Sequence, residues 1–153
     1  MRILFVCLGN ICRSPVLAEV LREHVRRAGL DWTVDSVGTG DWHVGQGADP
    51  RTVASARRRG YALDAHRARQ LGAGDYKVYD VLLAADAANL REIARRRPRD
   101  ARAQAALALE YAGIGAALDV PDPYYGGDAG FEQVIDLAEQ VAAALLAKHA
   151  PRA

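Results

Sequence analysis

Near its start the chain passes from a mostly apolar run, Arg2-Ile3-Leu4-Phe5-Val6, into Cys7-Leu8-Gly9-Asn10-Ile11-Cys12-Arg13-Ser14-Pro15 and then into a stretch of helical period. A short apolar run closed by a Gly-Asn turn reads as a buried strand. Ser14-Pro15 reads as a cap-like residue followed by a proline suited to the first helical turn. Strand, tight loop and helix in that order aim the loop's backbone N–H groups and the positive end of a helix dipole at one point. A cysteine opens the loop and an arginine closes it. Such a loop is built to hold a dianion against a sulfur atom.

The rest of the chain alternates in kind. Val16, Leu17, Val20, Leu21 and Val25 recur at helical spacing up to Gly29. Trp32-Thr33-Val34-Asp35-Ser36-Val37 reads as a second strand, followed by a glycine-rich loop over 38–47. Asp49-Pro50 opens a short helix through about Arg59, which Gly60 ends. Residues 61–79 have weak periodicity and read as loop, with a short helical piece near 73–76. A continuously apolar third strand spans 80–85, and a helix from Asp86 stops before Pro98. Ala105-Ala106-Leu107-Ala108-Leu109 suits a strand or a helix by propensity, and element order favours a last strand; 121–127 reads as a turn-rich loop. The final helix carries one stripe: Phe131, Val134, Ile135, Ala138, Val141, Ala142 and Leu145. Strands alternating with helices imply an α/β fold, a parallel sheet covered on both faces, with its site beyond the carboxyl ends of the strands.

Composition narrows the function. With 153 residues the chain fits one domain, 1–153. A net charge of +1 gives no field that selects nucleic acid or an anionic membrane. No run approaches the roughly 18 apolar residues of a membrane span, and the apolar start is too short for a signal peptide. The expected location is the cytoplasm. Two cysteines five apart do not make a disulfide framework; in a reducing compartment they read as catalytic or redox groups.

The loop's chemistry follows from its atoms. Thiolate is the reactive form of cysteine, and a helix N-terminus and an arginine both favour it beside Cys7. Arg13 offers a planar fork for two phosphoryl oxygens. Gly9 lets the backbone pass close to an anion, and Asn10 tolerates a left-handed conformation. Ser14 is placed to donate to the Cys7 sulfur. A core cysteine has no use for a cation beside it, so a purely structural role for Cys7 is disfavoured. A thiolate attacking phosphorus needs an acid for the leaving group and then a base for water. Asp122, stiffened between Pro121 and Pro123, fits that role, and Tyr124 and Tyr125 follow it as walls for an aromatic leaving group.

The cysteine loop together with Asp122-Pro123-Tyr124-Tyr125 resembles the low-molecular-weight protein tyrosine phosphatases. Blocks between them fall in family order: 35–39, Trp42-His43-Val44-Gly45, Ala48-Asp49-Pro50-Arg51, His66-Arg67-Ala68-Arg69-Gln70 and Asp86-Ala87-Ala88-Asn89-Leu90. The resemblance implies a single-domain α/β fold with a four-stranded parallel twisted sheet and helices on both faces. It also implies no metal or other cofactor, and hydrolysis of phosphotyrosine and aryl phosphate monoesters through a phosphocysteine. Cys7 would be the nucleophile, Arg13 the phosphate clamp, Asp122 the acid and then the base, and Ser14 the thiolate's helper. Residues 8–12 (Leu8, Gly9, Asn10, Ile11, Cys12) would cradle phosphate, while Asn10, Ser36 and His66 would support that loop. Trp42, Tyr124 and Tyr125 would line the slot, with Leu8 and Ile11 at its edges. Cys12 would capture an oxidised Cys7 as a reversible disulfide. The implied partners are a tyrosine-phosphorylated protein as substrate and inorganic phosphate as product. Nucleic acid and membrane insertion are not implied, and the expected state is a monomer or weak homodimer. Val37 stands where the family more often has a smaller residue, a matter of packing.

Rival readings are separable. Arsenate reduction on the same fold needs further cysteines, and this chain has only Cys7 and Cys12. A phosphoarginine phosphatase, a close relative, carries a threonine where this chain has Ile11, an apolar residue suited to an aryl ring. A phosphocysteine carrier or a phosphopeptide-binding module has no need of Asp122. His43, in the glycine-rich loop, is a candidate substrate contact, whereas His24 and His149 read as solvated helix-surface residues. The runs Arg57-Arg58-Arg59 and Arg95-Arg96-Arg97 read as helix ends, where cations suit the dipole.

Overall fold

A computed structural model describes residues 1–114, 119–124 and 127–149. Its elements follow the alternation read above: β1(Arg2–Cys7), α1(Arg13–Arg27), β2(Thr33–Gly38), α2(Pro50–Arg58), α3(Asp75–Val78), β3(Val81–Ala84), α4(Ala87–Arg96), β4(Gln104–Leu107), α5(Ala108–Ala112) and α6(Asp128–His149). The four strands form one all-parallel sheet in the order β2-β1-β3-β4. The doubled-back order places the end of β1 at the centre of the carboxyl edge, where a crevice opens in such sheets.

Alternate residues of the strands feed two cores. Ile3, Phe5, Val81 and Leu83 face α1, α2, α5 and α6; Leu4, Val6, Val37, Leu82 and Ala84 face Tyr76 and Ile93 of α3 and α4. Helices thus cover both faces. The expected α6 stripe, from Phe131 to Leu145, is buried throughout and packs on α1. Each large apolar side chain in it contributes about 1.5–3 kcal/mol. Among the described residues, no helix is long and apolar enough to cross a membrane.

Three sequence expectations are corrected. Ser14 is not the cap of α1: the helix begins at Arg13, two residues earlier than that reading implies, behind Cys12, and has no side-chain cap hydrogen bond. The last strand is shorter than expected, because Ala108 and Leu109 already belong to α5. Both remain fully buried, and alanine-leucine runs suit a helix as well as a strand, so burial alone does not separate the two. His149 is not simply solvated: its Nε2 pairs with the Tyr111 hydroxyl at 2.8 Å and its ring stacks on Tyr111.

The periodless segment over 61–79 has a definite task. Gln70 bridges to Gly38, Gly38 N–H donates to the Arg69 carbonyl and Leu71 N–H to the Gly38 carbonyl, so this stretch runs along the end of β2. There is no room for a side chain at 38: a Cβ would sit 2.7 Å from the Leu8 carbonyl oxygen. Of the arginine runs, Arg58 and Arg59 pair with Glu132, Asp136 and Glu139 of α6. They join helices rather than present a free basic face.

Candidate active site

Residues 8–12 connect the carboxyl end of β1 to α1, and Cys7, the last strand residue, is buried at the base of the loop. With no side chain capping α1, its first-turn N–H groups stay available to an anion. The Cys7 sulfur accepts from Asn10 N–H at 3.3 Å and lies 2.9 Å from Ser14 Oγ. Asn10 Nδ2 donates to Ser14 Oγ at 2.9 Å, and the Val37 carbonyl is the more distant alternative for the hydroxyl proton, at 3.3 Å. A thiolate at position 7 would take that proton in preference to the carbonyl, since charge-assisted bonds are the stronger ones. Moving Ser14 out of the cap position is what frees its hydroxyl for this contact.

Asn10 holds the loop's shape. Its φ of 59° is the sole positive value at a non-glycine among the described residues. Its two amide protons go to Ser14 and to Ser36 Oγ (2.9 Å each), its Oδ1 accepts from Arg69 N–H at 3.0 Å, and its carbonyl accepts from His66 Nε2 at 2.7 Å. The carbonyl partner requires the proton on Nε2. Burial pushes the His66 pKa below its ordinary 6.5, against the raising effect of this bond. The network closes on all sides with every Asn10 group used, which rigidifies a strained turn. Gly9 also leaves room for a neighbouring ring. Its φ is not positive, but a Cβ would meet His43 Cδ2 at 3.0 Å, so the histidine ring packs directly on the loop.

Arg13 is 4% exposed and donates from Nη1 to Asp86 Oδ2 at 2.7 Å and to the Val120 carbonyl at 3.2 Å. Its Nη2 faces Asp122 Oδ2 at 3.7 Å. Burial alone lowers its pKa, but the charge of Cys7, the bond and charge of Asp86, and Asp122 outweigh that and raise it. Asp122 is about half exposed at the mouth, where its Oδ1 accepts from Tyr124 N–H at 3.0 Å.

Cys7, Leu8, Gly9, Ile11, Cys12, Arg13, Trp42, His43, Asp122 and Tyr124 surround a cavity of about 290 Å³, near the lower end for small-molecule sites. His43 stands at its wall, with Nδ1 bonded to Gln46 Oε1 at 2.9 Å. Ile11, Cys12 and Tyr124 pack with Phe131. Trp42 is 67% exposed and forms an outer rim. Ser36 and His66 lie behind the loop, not in the cavity. Tyr125 lies outside the described residues. Cys12 is buried on the α2 side, and its thiol is pushed up to about 12 by burial, against the lowering influence of the Thr52 hydroxyl.

Two residues with no role assigned from sequence complete the site. Asp86 anchors Arg13 and also caps α4 through Asn89 N–H at 2.8 Å. Arg51, held by Asp49, places its guanidinium over the rings of Tyr124 (5.4 Å) and Phe131 (4.7 Å). Asp86 and the Asp49-Pro50-Arg51 block both read from sequence only as helix starts; the signal for either is its place in a family block. Among the described residues, no three His, Cys, Asp or Glu side chains group as a metal site.

Comparison with known proteins agrees with this geometry. A family model described as low molecular weight phosphotyrosine protein phosphatase matches residues 2–151. A low molecular weight protein-tyrosine-phosphatase of Streptomyces coelicolor is 49% identical, covering 95% of this chain and 92% of that protein. A crystal structure of a protein tyrosine phosphatase from Entamoeba histolytica, with Hepes in its active site, superposes with a TM-score of 0.90 at 37% identity, covering 97% and 96%. A Drosophila arginine phosphatase shares the fold with a TM-score of 0.92 at 28% identity, covering both chains fully. The chain belongs to the low molecular weight phosphotyrosine protein phosphatases, hydrolases that act through a phosphocysteine.

Proposed function

We propose that Cys7, Arg13 and Asp122 carry phosphotyrosine hydrolysis in this chain. The phosphoryl group sits on the amides of residues 8–12 and the α1 N-terminus, with Arg13 gripping two of its oxygens. The Cys7 thiolate attacks phosphorus in line, the bond to the phenolic oxygen breaks, and Asp122 delivers the proton that the leaving oxygen needs. The carboxylate left behind then takes a proton from water as that water attacks the phosphocysteine, releasing inorganic phosphate and restoring the thiolate. Ser14 steadies charge on sulfur when it leaves, and Asn10, Ser36 and His66 keep the loop in its bonded shape. The single observation that carries this reading is that one cavity gathers Cys7, Arg13 and Asp122, with Arg13 bound to Asp86.

A phosphotyrosyl protein is favoured as substrate because Ile11 and Tyr124 offer an apolar wall to an aryl ring. Trp42 and Leu8 extend that wall, and Tyr125 is assigned with Tyr124 by resemblance. Every proposed group comes from one domain spanning 1–153, acting as a monomer or weak homodimer. The two unpaired cysteines fit a reducing compartment such as the cytoplasm. A panel of phosphotyrosyl, phosphoseryl and phosphoarginyl peptides, assayed with and without chelator, tests the reading. It expects phosphotyrosine turnover insensitive to chelator. Preference for phosphoarginine, or loss of turnover on chelation, overturns it.

A further inference from the structure

Behind the Leu8 and Trp42 rim lies a second cavity of about 320 Å³, whose other walls include Gly40, Ala88, Glu92 and Arg96. The two cavities share Leu8 and Trp42, which are 45% and 67% exposed. The shared wall is therefore a low ridge that a peptide must cross if its phosphorylated side chain enters the first cavity. The far side carries one acid, Glu92, and one base, Arg96. Glu92 is the sole acid on that stretch of α4, and both Arg95 and Arg96 bond to it. Arg96 uses only Nε for this, at 2.8 Å from Glu92 Oε1; its two Nη groups have no partner among the described residues. Glu92 is shared with Arg95, which lies outside the cavity, so among the described residues the Arg96 Nη groups remain unpaired on a wall that also carries Leu8, Trp42 and Ala88.

We propose that this second cavity takes the acidic side chain of a residue within two positions of the phosphotyrosine. Its carboxylate rests on the free Nη edge of Arg96 and its aliphatic part on Leu8 and Trp42. An extended peptide advances roughly 3.3 Å per residue and alternates its side chains, which suits adjacent pockets separated by a single ridge. The proposal rests on the phosphotyrosine reading of the first cavity and adds a preference in sequence to it. Arg96 acts on the flanking residue only, and so does not touch the reacting atoms.

The test compares kcat/KM for two phosphotyrosyl peptides that differ only by Glu or Gln at the flanking position, together with an aryl phosphate that has no flank. Wild type is expected to favour the Glu peptide about fivefold, the scale of one partly exposed ion pair. Arg96→Gln brings that ratio to about one while the aryl phosphate turns over as in wild type. Arg96→Glu paired with a Lys peptide recovers a preference of the same size. Each ratio is internal to one enzyme preparation and does not depend on how much of a variant folds. Equal rates for both peptides in wild type, or a Glu preference that survives Arg96→Gln, overturns the subsite alone. Failure to hydrolyse the aryl phosphate overturns the phosphatase reading as well.

Discussion

Arg13 and Asp86 form a pair through one bond, Nη1 to Oδ2 at 2.7 Å, in which the arginine is almost wholly enclosed and the aspartate stands at the head of α4. Asp86 thereby does two things: it fixes the guanidinium from behind and caps a helix. Asp86→Ala removes both and leaves a buried cation short of a partner, a loss of about 2–3 kcal/mol. Asp86→Asn keeps the cap and removes the charge. Both variants are expected to lower kcat/KM by about ten- to a hundredfold, whereas only the alanine variant loses the cap's share of stability. Denaturant titration beside steady-state kinetics separates the two effects; an unchanged kcat/KM in Asp86→Asn contradicts the anchoring role.

Burial ties stability to pH through His66, against the opposing effect of its bond to the Asn10 carbonyl. Burial holds the His66 pKa below the 6.5 of a free side chain, so between the two values the unfolded chain binds more protons than the folded one. Stability therefore rises with pH through that window and is lost as pH falls below about 6.5. The denaturation midpoint of wild type is expected to drop between pH 7.5 and pH 5 more steeply than that of His66→Gln, whose amide still donates to Asn10. Parallel slopes contradict it.

Cys12 stays a neutral thiol at physiological pH, since its pKa is pushed up to about 12. Alkylation near pH 7 is expected at Cys7 and to be blocked by phosphate, with Cys12 unmodified. Peroxide is expected to convert Cys7 to a sulfenic acid, which the Cys12 thiol attacks, releasing water and forming the disulfide. Wild type should recover activity on treatment with a thiol reductant, and Cys12→Ser should not. Equal recovery in both removes Cys12 from the redox role.

The alternation of β1, α1 and β2 was legible because each is a local pattern, and the cysteine loop because its residue types make little sense in a core. α6 was legible for a related reason: its stripe faces a single surface. Three features were not. Residues 66–71 have no period of their own, because they are shaped by the edge of β2 and by Asn10. The first two residues of α5, Ala108 and Leu109, read as strand because an Ala-Leu run is compatible with either. Asp86 and Arg51 act across large separations in the chain, and nothing next to them in sequence marks the partner. Ser14 shows the reverse case: it reads both as a helper of Cys7 and as a cap, and its hydroxyl lies 2.9 Å from the sulfur while α1 has no side-chain cap bond.

The most direct measurement is covalent. Asp122→Asn should slow turnover of poor leaving groups by about a hundredfold or more while the phosphate site remains, because proton transfer and not binding is removed. Rapid acid quenching of wild type and of this variant with an aryl phosphate, followed by peptide mass analysis, is expected to find one phosphoryl group on the Cys7 peptide. Cys7→Ser should show neither that adduct nor turnover. A phosphoryl group on any other residue, or continued hydrolysis by Cys7→Ser, contradicts the account at its centre.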